Sequence, residues 1–129
     1  MHRAAEAGDL PAVEKWLAAK YRVSRFDALG KTPLHHAVAR NHLLVVNCLI
    51  QAGANVNAHD ERLIGNTPLS DSIEKMSVEM AHRLIEAGAD PTIRGGMQLN
   101  ALDRAAQRSD SYAKNILRLL QNAVINRKT

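Results

Sequence analysis

One stretch of this chain is written twice. Residues 30–58 read GKTPLHHAVARNHLLVVNCLIQAGANVNA, and residues 65–90 read GNTPLSDSIEKMSVEMAHRLIEAGAD. Thr32-Pro33-Leu34 returns as Thr67-Pro68-Leu69, and Gly53-Ala54 as Gly88-Ala89, both 35 positions on. A recurrence in this range restricts the fold severely. Each copy is a small unit that cannot bury its apolar face alone, so neighbouring copies must stack into one continuous core.

Local chemistry draws the unit. Thr32 is a good helix cap, and Pro33 follows where a missing N–H costs nothing. A short helix is expected from there to about Arg40. Asn41-His42 turns the chain, and a second helix runs from about Leu43 to Gly53, which can take the left-handed conformation. Val46, Leu49 and Ile50 make one buried stripe at i, i+3, i+4. The stripe recurs as Val13/Trp16/Leu17, Ala81/Leu84/Ile85 and Ile116/Leu119/Leu120. Four copies predict four stacked helix pairs, over approximately residues 1–26, 27–59, 60–93 and 94–129. Asp9 and Ser77 are expected caps of second helices. Arg108–Ser111 holds two extra residues and predicts a longer turn. If Trp16 spans the first two units, replacing it by alanine should cost about 3–5 kcal/mol.

The string Thr32-Pro33-Leu34-His35-x-Ala37 resembles the signature of ankyrin repeats. The two central units match well. The first lacks its hairpin, and the last has Asn100-Ala101-Leu102 in place of Thr-Pro-Leu. Divergent ends fit capping units, and equally a fragment of a longer array. The resemblance implies an all-α solenoid of helix-turn-helix pairs with β-hairpin-like loops. It also implies a protein–protein interaction module or adaptor, with no catalysis and no cofactor. His35 is then expected to tie neighbouring hairpins, and Ser70 and Asp103 at its position to weaken that tie. His42 is expected at the helix–helix turn.

Composition is consistent with that. Aromatic residues make up 3% of the chain, so the core rests on Leu, Val, Ile and Ala. No run approaches the length of a membrane span, and the amphipathic start does not resemble a secretory signal. The single cysteine, Cys48, excludes an internal disulfide and is expected as a buried core thiol. An intracellular place is the default expectation, with a secreted effector lacking a cleavable signal as the alternative. A monomer is expected.

Net charge is +4, which favours acidic partners. Arg40, Lys75 and Arg108 hold the same position in successive units, at the end of each first helix. Cations there suit the helix dipole. By the resemblance, first helices line a concave face, so the three would form a cationic ladder. Ala7 leaves it absent from the first unit. The loop tips carry unusual apolar residues beside cations: Phe26, Leu29 and Lys31 in one, Arg62, Leu63 and Ile64 in the next, Met97 and Leu99 in the last. Phe26 and Leu99 are expected to pack inward, with Phe26 kept among the candidate partner-binding residues. The others are expected to meet a partner protein whose acidic surface carries an apolar anchor site.

Other chemistry lacks its patterns. His35, His36 and His42 come without Cys-x-x-Cys or His-Glu-x-x-His spacing, so no metal is implied. No nucleophile motif or phosphate-cradling loop is present. Few aromatics are available for base stacking, which argues against nucleic acid. Two alternatives stay open: a nucleic-acid or anionic-surface binder using the cationic groove, and a structural fragment of a larger ankyrin protein. Asn57 stands where hydroxylases modify some ankyrin domains, a remote reading.

Overall fold

The structure, a computed structural model, describes residues 1–63, 65–107 and 111–128. They form four helix pairs: α1 (His2–Ala7) with α2 (Leu10–Ala18), α3 (Pro33–Ala39) with α4 (Leu43–Gln51), α5 (Pro68–Ser72) with α6 (Val78–Glu86), and α7 (Ala101–Ala106) with α8 (Ser111–Lys128). First helices stack on first helices, α1 on α3, α3 on α5 and α5 on α7. Second helices form the other layer, with α2 on α4 and α6 on α8. Among the described residues the loop tips contain no strand. They are closed by backbone bonds such as Asp27 N–H to Lys31 O at 2.8 Å and Gly95 N–H to Leu99 O at 3.0 Å.

The caps act as the residues dictate. Thr32, Thr67 and Asn100 each accept a hydrogen bond from the backbone N–H three residues on, at the start of α3, α5 and α7. Asp9 and Ser77 do the same for α2 and α6. Gly8 and Asn41, at equivalent positions, both turn the chain with positive φ, 72° and 59°. At Gly8 a side chain is excluded twice over, because a Cβ would lie 2.7 Å from the His42 ring. That close approach lets His42 Nε2 reach Glu6 O in the neighbouring unit at 2.9 Å.

Val13, Val46, Leu49, Ala81, Leu84, Ile116 and Leu120 are fully buried in one core. Trp16 is not. It is 44% exposed and meets Tyr21 edge-on, with ring centroids 5.3 Å apart. Leu49 and Leu84 hold the same position and are covered by helix pairs on both sides. Helix α2 packs on α1 and α4, and Trp16 keeps nearly half of its surface outside those contacts. Cys48 likewise departs from expectation: it is half-buried. Burial, and then the charge of Glu14, raise its thiol pKa.

The tie between units also changes along the stack. His35 is buried. Its Nδ1 accepts from Thr32 N–H at 3.0 Å, and its Nε2 reaches Asn66 O of the next unit at 2.7 Å. Ser70 replaces it one unit on, and its Oγ is buried with no hydrogen-bond partner among the described residues. Ser70→Ala removes a desolvated hydroxyl and should raise stability by about 1 kcal/mol in urea titrations. Asp103 instead bonds back to Asn100 N–H at 3.1 Å, making a capping box. Asn66 carries the link to the last unit, its Oδ1 accepting from Gly96 N–H at 2.9 Å.

Candidate partner-binding surface

The stacked first helices and the loops before them place four cations around one concavity of about 670 Å³. Lys31, Arg40, Lys75 and Arg104 line it, with the carboxylates Asp71 and Glu74. Arg40 is the residue that ends α3, Lys75 follows α5, and Arg104 lies within α7. The structure therefore brings Arg40 and Lys75 to one groove. Arg108 lies outside the described residues, as does Ile64.

The cations differ in freedom. Lys31 Nζ lies 3.5 Å from Asp71 Oδ2. Arg40 turns back to Glu6 Oε1 at 3.1 Å, with 63% of its side chain still exposed. Arg104 is held between Gly96 O at 3.0 Å and Glu74 Oε1 at 4.0 Å. Lys75 is exposed and makes no ion pair among the described residues. An exposed ion pair contributes at most about 1 kcal/mol, so an incoming anion can share or displace these carboxylates at modest cost.

Each tip is shaped by an acidic or amide side chain behind it. Asp27 Oδ1 accepts from Leu29 N–H at 2.9 Å and Lys31 N–H at 3.0 Å, and its Oδ2 meets His36 Nε2 at 2.8 Å. Burial alone would push the Asp27 carboxyl upward. The His36 bond, then the Lys31 and Leu29 amides, outweigh it and leave the pKa lowered. In the second tip Arg62 clasps the buried Asp60 through Nε and Nη2, both at 3.1 Å. That clasp holds Asp60 below the usual carboxylate range. Arg62 is thus a staple of the loop as well as an exposed cation, which sequence spacing did not reveal.

With the tips fixed, their apolar residues face outward in a row. Leu29 is 73% exposed, Leu63 54% and Met97 86%. Leu63 also reaches the preceding tip, since a Cβ on Gly30 would stand 3.0 Å from its Cδ1. Phe26 and Leu99 are half-buried. Arg104, Asp60 and Asn66 shape this surface, and sequence reasoning missed them. Asp60-x-Arg62 was a readable cue for a clasp; Arg104 and Asn66 depend on which units meet.

Bonds joining residues 31 to 38 positions apart tie each unit to the next, from His42–Glu6 through His35–Asn66 to Arg104–Asn66. A sequence model described as ankyrin repeats in three copies matches residues 1–95. The chain belongs to the ankyrin-repeat family. Ankyrin repeats generally mediate protein–protein interaction, and the fold is a non-catalytic interaction module. This ankyrin-repeat chain is 49% identical over 63 residues to human Arf-GAP with coiled-coil, ANK repeat and PH domain-containing protein 3, covering 47% of the chain and 8% of that protein. It is 34% identical over 99 residues to probable E3 ubiquitin-protein ligase XBOS34 of Oryza sativa subsp. japonica, covering 76% and 19%. It is 32% identical over 95 residues to putative ankyrin repeat protein FPV219 of fowlpox virus, covering 74% and 21%. The chain therefore spans about a fifth or less of these relatives' lengths. Among the described residues no helix is long and apolar enough to cross a membrane.

Proposed function

We propose that this ankyrin-repeat domain grips a protein partner whose acidic side chains enter the groove and whose apolar anchor site meets the row of tips. The observation that carries this reading is the gathering of Lys31, Arg40, Lys75 and Arg104 on one concavity against two carboxylates. The exposed Leu29, Leu63 and Met97 supply apolar contact alongside it. The helix pairs hold these groups in place before binding, so little conformational entropy is lost on association. The groove cations would steer the encounter and set its salt dependence, while the tips would set the lifetime of the complex.

Partners captured on the immobilised domain and identified by mass spectrometry provide the test. Arg40→Glu/Lys75→Glu should weaken a captured partner by about tenfold or more, most strongly at low salt. Leu63→Asp should weaken it at all salt concentrations, and Lys114→Glu on α8 should have little effect. Retention of full affinity by both the groove and the tip variants would refute this reading. Binding of single-stranded nucleic acid or anionic vesicles, abolished by salt and indifferent to Leu63→Asp, would replace it with an anionic-surface function.

A further inference from the structure

The groove does not stop at Arg40. That residue also lines a second concavity, with Arg3, Glu6, Ala7 and His42, where α1 stacks on the next unit. Arg3 lies one turn before Ala7 on the same face of α1. It is exposed and makes no ion pair among the described residues. Ala7 holds the position of Arg40 and Lys75, so Arg3 supplies, from one turn away, the cation that the first unit lacks there. The carboxylates of both concavities are already matched: Asp71 with Lys31 at 3.5 Å, Glu74 with Arg104 at 4.0 Å and Glu6 with Arg40 at 3.1 Å. Arg3 and Lys75 have no such carboxylate among the described residues, and Arg40 is held by an exposed pair that an incoming anion can replace. Three successive units thus each offer one cation.

That spacing selects the ligand. Packed helices lie about 8–10 Å apart, so carboxylates meeting one cation per unit must recur at about that interval. A polyproline II segment has three residues per turn and rises about 3.1 Å per residue, so every third side chain returns to one face about 9 Å further on. A β-strand returns every second side chain to one face after about 7 Å, and falls out of step. Polyproline II is also stiff before binding, which limits the entropy lost. Building on the groove reading above, we propose that the partner lays an acidic polyproline II segment, with a carboxylate at every third residue, across Lys75, Arg40 and Arg3. Glu6 holds the middle position until that segment displaces it.

Fluorescence anisotropy at low salt with labelled synthetic peptides tests the register. Glu-Pro-Pro-Glu-Pro-Pro-Glu should bind about fivefold or more tighter than Glu-Pro-Glu-Pro-Glu-Pro-Pro, which has the same composition and charge but turns its carboxylates to different faces. Arg3→Gln and Lys75→Gln should each reduce that preference, and Lys114→Gln on α8 should leave it unchanged. All three sites are exposed, so the fold is not at risk. Glu6→Gln should tighten the in-register peptide by about twofold or more, because Arg40 then no longer exchanges one carboxylate for another. Equal affinity for the two peptides, or no binding of either, would overturn the proposal. So would a preference indifferent to Arg3→Gln, or tighter binding of a helical peptide with glutamates seven residues apart. If a captured partner still depends on Arg40 and Lys75 in those cases, the groove reading survives and only the register falls; if that dependence is missing too, both fall.

Discussion

His35→Ala should lower the stability of the domain by about 3 kcal/mol in urea titration, because it strands one buried and one part-buried backbone group at about 1–3 kcal/mol each. Thr32 N–H loses its acceptor at a buried bond and Asn66 O loses its donor at a part-buried one. The geometry also sets the charge state. Nδ1 accepts from Thr32 N–H, so the proton of the neutral ring sits on Nε2 and is donated to Asn66 O. Burial lowers the His35 pKa, and the Asn66 bond offsets this only in part. The folded protein therefore holds His35 neutral, while the unfolded chain takes up its proton below about pH 6.5. Where the unfolded state binds more protons, stability rises with pH. The His35 contribution is then complete above that pH and is lost as pH falls through and below it. Melting temperatures at pH 7.5 and 5.5 should show this decline in the parent chain and a smaller one in His35→Gln.

Leu84→Ala should cost about 2–5 kcal/mol, while Trp16→Ala should cost less, about 1–2 kcal/mol. The larger side chain gives the smaller effect because burial decides the outcome. Leu84 is completely enclosed, so its removal loses transfer free energy and leaves a cavity. Trp16 already has much of its ring in water and gives up mainly its contact with Tyr21. Denaturant midpoints for the two variants would check the contrast. Equal losses would mean that Trp16 packs as tightly as its counterparts in the inner units.

The same pair of residues shows what a sequence can and cannot disclose about such a fold. The repeat, the caps at Thr32, Asp9 and Ser77, and the stripe of Val46 and Leu49 are local patterns, and the structure displays each of them. Trp16 and Cys48 were harder, because periodicity names a face and exposure depends on what lies against that face. The candidate groove was legible in Arg40 and Lys75, whose equivalence follows from the repeat. It was illegible in Arg104, which enters the groove from the next unit, and in Asn66, whose amide takes up the link that Ser70 cannot make. Arg62 stood out as a cation, but its clasp on Asp60 depends on how the tip closes.

The principal helix contacts run between adjacent units, and the cross-links between them sit at regular intervals along the stack. Such an object resembles a leaf spring more than a ball. Pulled by its two ends, it should yield in discrete steps as leaves peel away singly. The seam at Ser70, which lacks the histidine cross-link, is where the first step in the force trace belongs.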